Sequence, residues 1–268
     1  MQRPLFAEIA GALAMLFAWL LVTSTIIYLP PLVAAGEVLL FGALFTARYL
    51  VPGDDPAQIE RRARSRALGL GPQWPWAIAS AVTVAVFLLA FLSVYARLAP
   101  PPREVESIVA EYFRQPLAIL PFVLADAVVD PVIEEVIFRG WIQGRLSRDF
   151  GPETAIVSAA GIFAAVHLSI WDVPPLFLLG LASGYTVYLT RSVWAGVLMN
   201  AAFSLGVDLL DSPALTADGL VAYSAGATGL RAAVLVMLGA AVLSILVWHR
   251  QRIIRDRLAA AAGALPAD

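Results

Sequence analysis

The chain has 268 residues, of which 60% are hydrophobic and only 14% are charged. A soluble domain has about 45–50% apolar and about 25% charged residues, so this composition predicts a membrane protein that crosses the bilayer several times. The net charge of −2 gives no support for nucleic-acid binding. The absence of cysteine excludes disulfides, thiolate metal sites and cysteine nucleophiles.

Eight apolar runs are long enough to cross about 30 Å of hydrocarbon, and they predict an all-α transmembrane helical bundle of about eight spans. In chain order the runs are 6–29, 32–50, 76–98, 117–141, 154–171, 173–190, 193–211 and 230–249. The first run is longer than the apolar part of a signal peptide and contains Glu8, so we expect a membrane anchor there.

The predicted bundle divides into three parts. Residues 1–116 carry the N-terminal spans and a cytoplasmic linker, residues 117–211 form a four-helix core, and residues 212–268 carry the last span and a cytoplasmic tail. In the core, Gly180 and Gly184 form a GxxxG pattern, which is typical of close packing between membrane helices.

Arginine residues set the expected orientation, because cytoplasmic loops of membrane proteins carry an excess of positive charge. With eight spans, one side of the membrane receives the arginines near the N-terminus, in the linker and in the tail, together with Arg145, Arg148 and Arg191. The opposite side receives the joint at 171–175 and the acidic segment 208–218. We therefore expect a multi-pass protein of the plasma (inner) membrane, in contact with membrane lipid, with both termini in the cytoplasm.

The fourth span contains the charged segment DPVIEEVIFRG, which begins at Asp130. A charged side chain at the centre of a membrane helix costs about 2.5–3.5 kcal/mol, so charged residues there are functional candidates. The alternative is that these groups form an ion-pair network that only holds helices together.

Helical geometry separates the charged residues into two sets. Asp126, Asp130 and Glu134 are four residues apart and share one face, whereas Glu135 lies about 100° away and faces Arg139. We expect an ion pair between Glu135 and Arg139, which leaves Glu134 directed at a cavity.

Pro131 makes the backbone of this span irregular. We expect Asp130 to cap a helix that starts at Pro131; the alternative is a proline kink that frees the carbonyl of Ala127. Irregular backbone at membrane depth is tolerated where it is buried in protein or lines water.

Two other spans carry polar residues that can complete a site. His167 lies late in the fifth span, one turn after Phe163 on the same face. In the seventh span Asn200, Ser204 and Asp208 are four residues apart and form a polar row. We expect Glu134, His167 and Asn200 to meet in one polar cavity, within about 8 Å of each other and in the cytoplasmic half of the bundle.

These residues resemble the motifs of the CAAX prenyl endopeptidase and bacteriocin-processing (CPBP, Abi) intramembrane metalloprotease family. The sequence EEVIFRG, which starts at Glu134, matches the first motif, EExxxR, and Phe163 to His167 match the second motif, FxxxH. The third motif departs from the usual HxxxN or HxxxD, because Asn200 and Ser204 stand at the two polar positions. The resemblance covers roughly residues 117–211 and implies a four-helix catalytic core.

The resemblance implies a peptidase that hydrolyses a peptide bond near the membrane. The implied catalytic residues are Glu134, Glu135, His167 and Asn200, with Arg139 in the ion pair and with Phe163, Ser204, Asp130 and Asp208 in support. The implied substrate is a peptide or protein that is hydrophobic or lipidated.

The implied chemistry has two forms. In the metal-assisted form, a divalent ion such as zinc is held by Glu134, His167 and Asn200, and it lowers the pKa of a bound water. In the metal-free form, Glu134 activates water, and His167 and Asn200 donate hydrogen bonds to the oxyanion.

Two functions other than proteolysis stay open. The missing third-motif histidine favours a membrane scaffold or immunity-type relative that has lost the chemistry. The acidic row in the fourth span favours a proton-coupled transporter, although the sequence has no paired repeats with matching broken helices.

Overall fold

The computed structural model describes residues 5–25, 29–49, 69–99, 117, 119–211 and 227–263. Within these ranges the chain forms eight helices and no strand. The helices are α1 (Leu5–Thr25), α2 (Pro31–Tyr49), α3 (Trp74–Leu98), α4 (119–150), α5 (Pro152–Val166), α6 (Val173–Thr190), α7 (Val193–Asp211) and α8 (Ala227–Gly263). The linker arginines at 61–66 and most of the acidic segment 208–218 lie outside the described residues.

Each predicted apolar run corresponds to one helix, so the prediction of an all-helical membrane bundle is confirmed. Three helical stretches in the described residues are long and apolar enough to cross a membrane: Gly71–Leu98, Val173–Thr190 and Gly229–Ala260. Shorter apolar helices lie at Pro31–Ala47, Pro152–Val166 and Val193–Asp208. The number of complete crossings, about eight, stays a prediction.

The outer face of α8 is suited to contact with lipid. Its large apolar side chains Leu235, Leu238, Val242 and Leu246 are about half exposed or more. The opposite face packs mainly on α3, and α3 in turn packs on α7. Apolar side chains on the outside and a packed inner face are what a bundle in hydrocarbon requires.

The helix α4 is continuous but contains two wide π-helical stretches. Leu124–Val129 and Val136–Gln143 are π-helical, and they flank the α-helical turns Asp130–Glu135. The N–H of Asp130 donates to the carbonyl five residues back, at Ala125, and Asp130 has helical dihedral angles. The prediction that Asp130 caps the start of a helix was therefore wrong. The wide turn before Pro131 accommodates a residue that lacks an N–H, so the helix continues through it.

The GxxxG pattern of α6 marks close helix packing, as predicted. A Cβ on Gly180 would lie 2.9 Å from the Cα of Ala160 on α5, and a Cβ on Gly184 would lie 2.7 Å from the side-chain oxygen of Gln143 on α4. Gln143 also donates from its amide to the carbonyl of Gly184 at 3.0 Å. These contacts hold α6 directly against the two helices that carry the first and second motifs.

Side-chain contacts show which helix ends lie together. The indole N–H of Trp248 on α8 donates to Ser80 of α3 at 2.9 Å and to Thr186 of α6 at 3.0 Å. Arg255, two turns further along α8, lies over the ring of Tyr188. The start of α3, the end of α6 and the arginine-rich part of α8 therefore share one end of the bundle, which we call the arginine end.

The opposite end is marked by Trp171, and we call it the Trp171 end. The indole N–H of Trp171 donates to the carbonyl of Ala99, just after the last residue of α3, at 2.5 Å. The ring of Tyr95, in the last turn of α3, packs on the same indole. These contacts separate the joint at 171–175 from the arginines of α8, as the sequence predicted, although Arg97 lies in the last turn of α3 at this end.

Candidate active site

The two adjacent glutamates of α4 have different environments. Glu135 is fully buried, and its Oε1 lies 3.0 Å from Nη1 of Arg139, which is 1% exposed. Ser183 of α6 donates its hydroxyl to Oε2 of Glu135 at 2.6 Å. Gly196 of α7 leaves room for this carboxylate, because a Cβ there would overlap both Glu135 and Ser183. The ion pair expected from the spacing is present, and it joins α4 to α6 and α7.

Phe163 connects the first motif to the second. Its ring packs edge-to-face on Phe138 with centroids 5.1 Å apart, and it packs in the same way on the imidazole of His167 at 4.9 Å. The guanidinium of Arg139 lies 4.5 Å from the centroid of the Phe163 ring, which is within the range of a cation–π interaction. The buried ion pair therefore supports the ring that in turn supports His167.

Glu134, His167 and Asn200 meet although they come from three helices. The Oε2 of Glu134 accepts a hydrogen bond from the side-chain amide of Asn200 at 2.9 Å. The Oε1 of Glu134 lies 3.4 Å from Nε2 of His167. The other imidazole nitrogen, Nδ1, is 2.7 Å from the carbonyl of Phe163. That carbonyl can only accept, so Nδ1 carries a proton and the Nε2 edge faces Glu134.

The acidic row of α4 lies beside this group. Asp126 and Asp130 both interact electrostatically with Glu134 and His167, and Ser204 of α7 hydrogen-bonds to Asp126. Asp130 also accepts a hydrogen bond from the indole N–H of Trp19 on α1. Three carboxylates on one face therefore interact with one another and with neighbouring hydroxyl, indole and imidazole groups.

The structure separates Glu135 from the other residues that the sequence interpretation assigned to catalysis. Glu135, included among the catalytic residues, is engaged by Arg139 and Ser183 and does not contact His167 or Asn200. Of the two glutamates, Glu134 is the one that contacts His167 and Asn200. Asp208 is half-buried two turns after Asn200 on α7.

The sequence placed the site in the cytoplasmic half of the bundle, and its depth in the membrane stays a prediction. His167 directly follows the last turn of α5, about 22 Å along the helix from Pro152 at the arginine end. The next residues, Leu168 and Ile170, are 93% and 91% exposed. The His167 side of the site therefore faces the Trp171 end, because α5 runs away from the arginines before it reaches its histidine.

The donor atoms fit a metal ion only if Asn200 takes part. Among the described residues, no group of three or more His, Cys, Asp and Glu side chains could hold a metal ion. Glu134 and His167 supply a carboxylate oxygen and an imidazole nitrogen, and the Nδ1 hydrogen bond to Phe163 is an arrangement common for metal-bound histidine. A third ligand requires the amide oxygen of Asn200, a neutral donor.

Three residues of the site were missed by the sequence interpretation. Ser183, Gly196 and Trp19 contact the charged residues of α4 from helices distant in the chain. Ser183 lies within the GxxxG pattern, so the close approach of α6 was the available signal. Trp19 carried no signal, since it is one aromatic residue in a uniformly apolar span.

Residues 116–206 match a protein family described as Rce1-like, type II CAAX prenyl endopeptidase. No curated protein and no solved structure matches the chain. The matched segment contains all of α4, α5 and α6, and α7 through Ser204 and Gly206, but not Asp208. The match confirms the resemblance to the CAAX endopeptidase family that the EExxxR and FxxxH motifs indicated, and this family is one of peptidases.

Proposed function

We propose that this membrane protein, whose residues 116–206 match the Rce1-like family, is an intramembrane peptidase of the CAAX type. Its substrate is a hydrophobic or lipidated peptide or protein, and the reaction is hydrolysis of one peptide bond by a water that Glu134 activates. The protein acts in the plasma (inner) membrane.

The observation that carries the proposal is the position of Glu134 between His167 and Asn200. The carboxylate is 14% exposed, so it is shielded but accessible to water, and both of its oxygens face polar partners. Asn200 donates to one oxygen and therefore orients the other toward the cavity. A carboxylate held in this way, within reach of an imidazole, has the geometry of a general base.

In the proposed reaction Glu134 removes a proton from water while the oxygen of that water attacks the scissile carbonyl. The tetrahedral oxyanion that forms is stabilised by hydrogen bonds from the Asn200 amide and from protonated His167. The C–N bond then breaks, and the leaving nitrogen receives the proton that Glu134 took up. One water is consumed, and a carboxylate and an amine are produced.

The buried pair of Glu135 and Arg139 acts through position in this proposal. It fixes α4 against α6 through Ser183, and it fixes the Phe163 ring through the cation–π contact. Because Phe163 also packs on the imidazole, the pair determines where the Nε2 edge of His167 lies.

The alternative form of the proposal is metal-assisted: a divalent ion, such as zinc, would be held by Glu134, neutral His167 and Asn200 in place of the hydrogen bonds described above. When bound, such an ion would lower the pKa of a water and polarise the carbonyl. A neutral amide in place of an imidazole makes a weaker ligand for zinc. We therefore expect a loosely held ion, removable by a chelator at concentrations that leave tight zinc sites intact.

The proposal is tested by measuring peptide cleavage by the purified full-length protein in detergent. The substrates are a panel of prenylated and unmodified hydrophobic peptides, and each is assayed with and without chelator. We expect cleavage to be lost in Glu134→Gln and in His167→Ala, while both variants stay folded. Matched controls are Glu153→Gln, an exposed glutamate at the start of α5, and His249→Ala, an exposed histidine on α8.

Each outcome of this experiment decides between functions. Cleavage that is unchanged in Glu134→Gln contradicts the assignment of the general base. The complete absence of cleavage in the natural sequence, with every peptide and with added metal, favours the non-catalytic relative over the peptidase.

A further inference from the structure

Apart from the candidate active site, a cavity of about 430 Å³ lies between α3, α5, α6 and α8. Its size is within the range of about 300–1,000 Å³ that is usual for ligand sites. The helix α6 separates it from the candidate active site, because Ser183 faces Glu135 while Ala182 and Tyr185 line this cavity. No residue that we placed in the peptidase chemistry lines it.

The walls of this cavity are apolar, and Val84 and Leu88 of α3 form its buried floor. Its rim includes Ile245 of α8, a side chain that is 60% exposed on the outer face of the bundle. Because this rim lies on the lipid-facing side of α8, the cavity is accessible to the hydrocarbon of the bilayer. Fatty acyl chains surround the protein at that surface.

One polar group in the cavity wall has no partner. The hydroxyl of Ser244 lines the cavity, the residue is 4% exposed, and its Oγ makes no hydrogen bond. A buried hydroxyl is normally satisfied, so an unpaired one directed into a chamber indicates an acceptor atom on a ligand. The ester carbonyl of a lipid is such an acceptor.

The arginine end of the cavity carries positive charge at the depth of lipid headgroups. Trp248 lines the cavity at that end, where its indole donates to Ser80 and Thr186. Arg252 is exposed one turn beyond Trp248, about 6 Å along α8. Arg255 lies a turn further on, over Tyr188. Basic residues next to an apolar site between membrane helices are suited to an anionic headgroup.

We propose that this cavity binds one acyl chain of an anionic membrane phospholipid. The chain fills the space beside Val84 and Leu88, its ester carbonyl accepts a hydrogen bond from Ser244, and its phosphate lies near Arg252. The proposal is independent of the peptidase reaction, since no group of the candidate active site takes part.

Native mass spectrometry of the full-length protein tests this proposal by titration with phosphatidylglycerol or with phosphatidylcholine. We expect one phosphatidylglycerol to be retained, with phosphatidylcholine at least about tenfold weaker. Ala241→Phe fills the cavity and should lower retention about tenfold, which is about 1.4 kcal/mol. The matched control is Val242→Phe, which adds the same ring on the outer face of the same helix and should leave retention unchanged.

Two further variants separate the polar contacts and keep the test valid if Ala241→Phe fails to fold. Ser244→Ala leaves the cavity open and should lower retention several-fold. Arg252→Gln should reduce the preference for phosphatidylglycerol, whereas Arg231→Gln, at the other end of α8, should not. Equal retention in Ala241→Phe and Val242→Phe, or retention unchanged in Ser244→Ala, overturns the proposal. Displacement of the lipid by a prenylated peptide also overturns it and makes the cavity a substrate site.

Discussion

The neighbouring residues Glu134 and Glu135 differ because consecutive side chains of a helix point about 100° apart. Glu135 therefore lies at the contact between three helices, where Arg139 forms an ion pair with one carboxylate oxygen and Ser183 donates to the other. Glu134 instead lies beside His167 and Asn200, where its side chain is partly exposed. The same residue type therefore has a structural place at one position and, in the proposed reaction, a chemical one at the next.

At the residue scale, we predict that Arg139→Met lowers stability by about 3–5 kcal/mol. The substitution leaves the Glu135 carboxylate charged and buried without its partner, which is the costly way to break a buried pair. It also removes the cation–π contact to Phe163. The double variant Glu135→Gln with Arg139→Met should recover part of the loss, measured as the unfolding midpoint in detergent.

The matched control for this prediction is Arg148→Met, an exposed arginine on the same helix. Its midpoint should stay within the error of the natural protein. A double variant no more stable than Arg139→Met alone would show that the pair is not coupled, because coupled neighbours give non-additive changes.

A second residue-scale prediction concerns the unusual third motif. Replacing Asn200 with histidine and Ser204 with asparagine restores the usual family residues, so metal affinity and cleavage should both rise if this is a weakened metallopeptidase. Metal binding is measured by calorimetry, and cleavage with the peptide panel. Tighter metal binding with lower cleavage would instead indicate that the asparagine supports a reaction without metal.

The spacing of residues predicted some of the site and could not predict the rest. The contact of Glu135 with Arg139 follows from four-residue spacing on one helix, and the shared faces placed Glu134, His167 and Asn200 on the inner sides of their helices. Ser183 and Trp19 come from other helices, so only the packing of those helices reveals them. A periodic pattern predicts the face of the helix on which a side chain lies. It does not predict which residues of other helices contact that side chain.

At the element scale, the proline of α4 shows the limit of local rules. The Asp130–Pro131 pair suits a helix start, but the surrounding bundle keeps the chain helical on both sides. The extra residue per turn in the π-helical stretch accommodates the missing N–H. The sequence left open whether a helix starts at Pro131 or continues through it, and tertiary packing favours the continuous helix.

Helix contact through Gly180 gives the element-scale prediction. Gly180→Ala places a methyl group 2.9 Å from the backbone of Ala160, so α5 and α6 must separate. We expect a clear loss of stability, about 1–3 kcal/mol for overpacking of this kind. The measurement is the unfolding midpoint in detergent.

The matched control is Gly161→Ala, on α5 itself. A Cβ there meets no atom within 4 Å, so the higher helix propensity of alanine should leave the protein as stable or more stable by up to about 1 kcal/mol. Equal effects of the two substitutions would contradict close packing at Gly180.

At the scale of the whole molecule, the orientation of the bundle and the position of the site were not equally predictable. Arginine placement predicts that the arginine end is cytoplasmic, while the His167 side of the candidate site faces the Trp171 end. The sequence supplied the first feature directly. The second depends on how far α5 runs before His167, and the apolar pattern could not show on which side of the cavity that helix ends.

The last prediction is that the site opens away from the cytoplasm, and the chain is well suited to test it because it contains no cysteine. Glu153 and Ile170 are exposed residues near the two ends of α5. In intact cells a membrane-impermeant maleimide should label Ile170→Cys and should label Glu153→Cys only after permeabilisation. The reverse pattern would place the arginine end outside, and a substrate would then reach His167 from the cytoplasm.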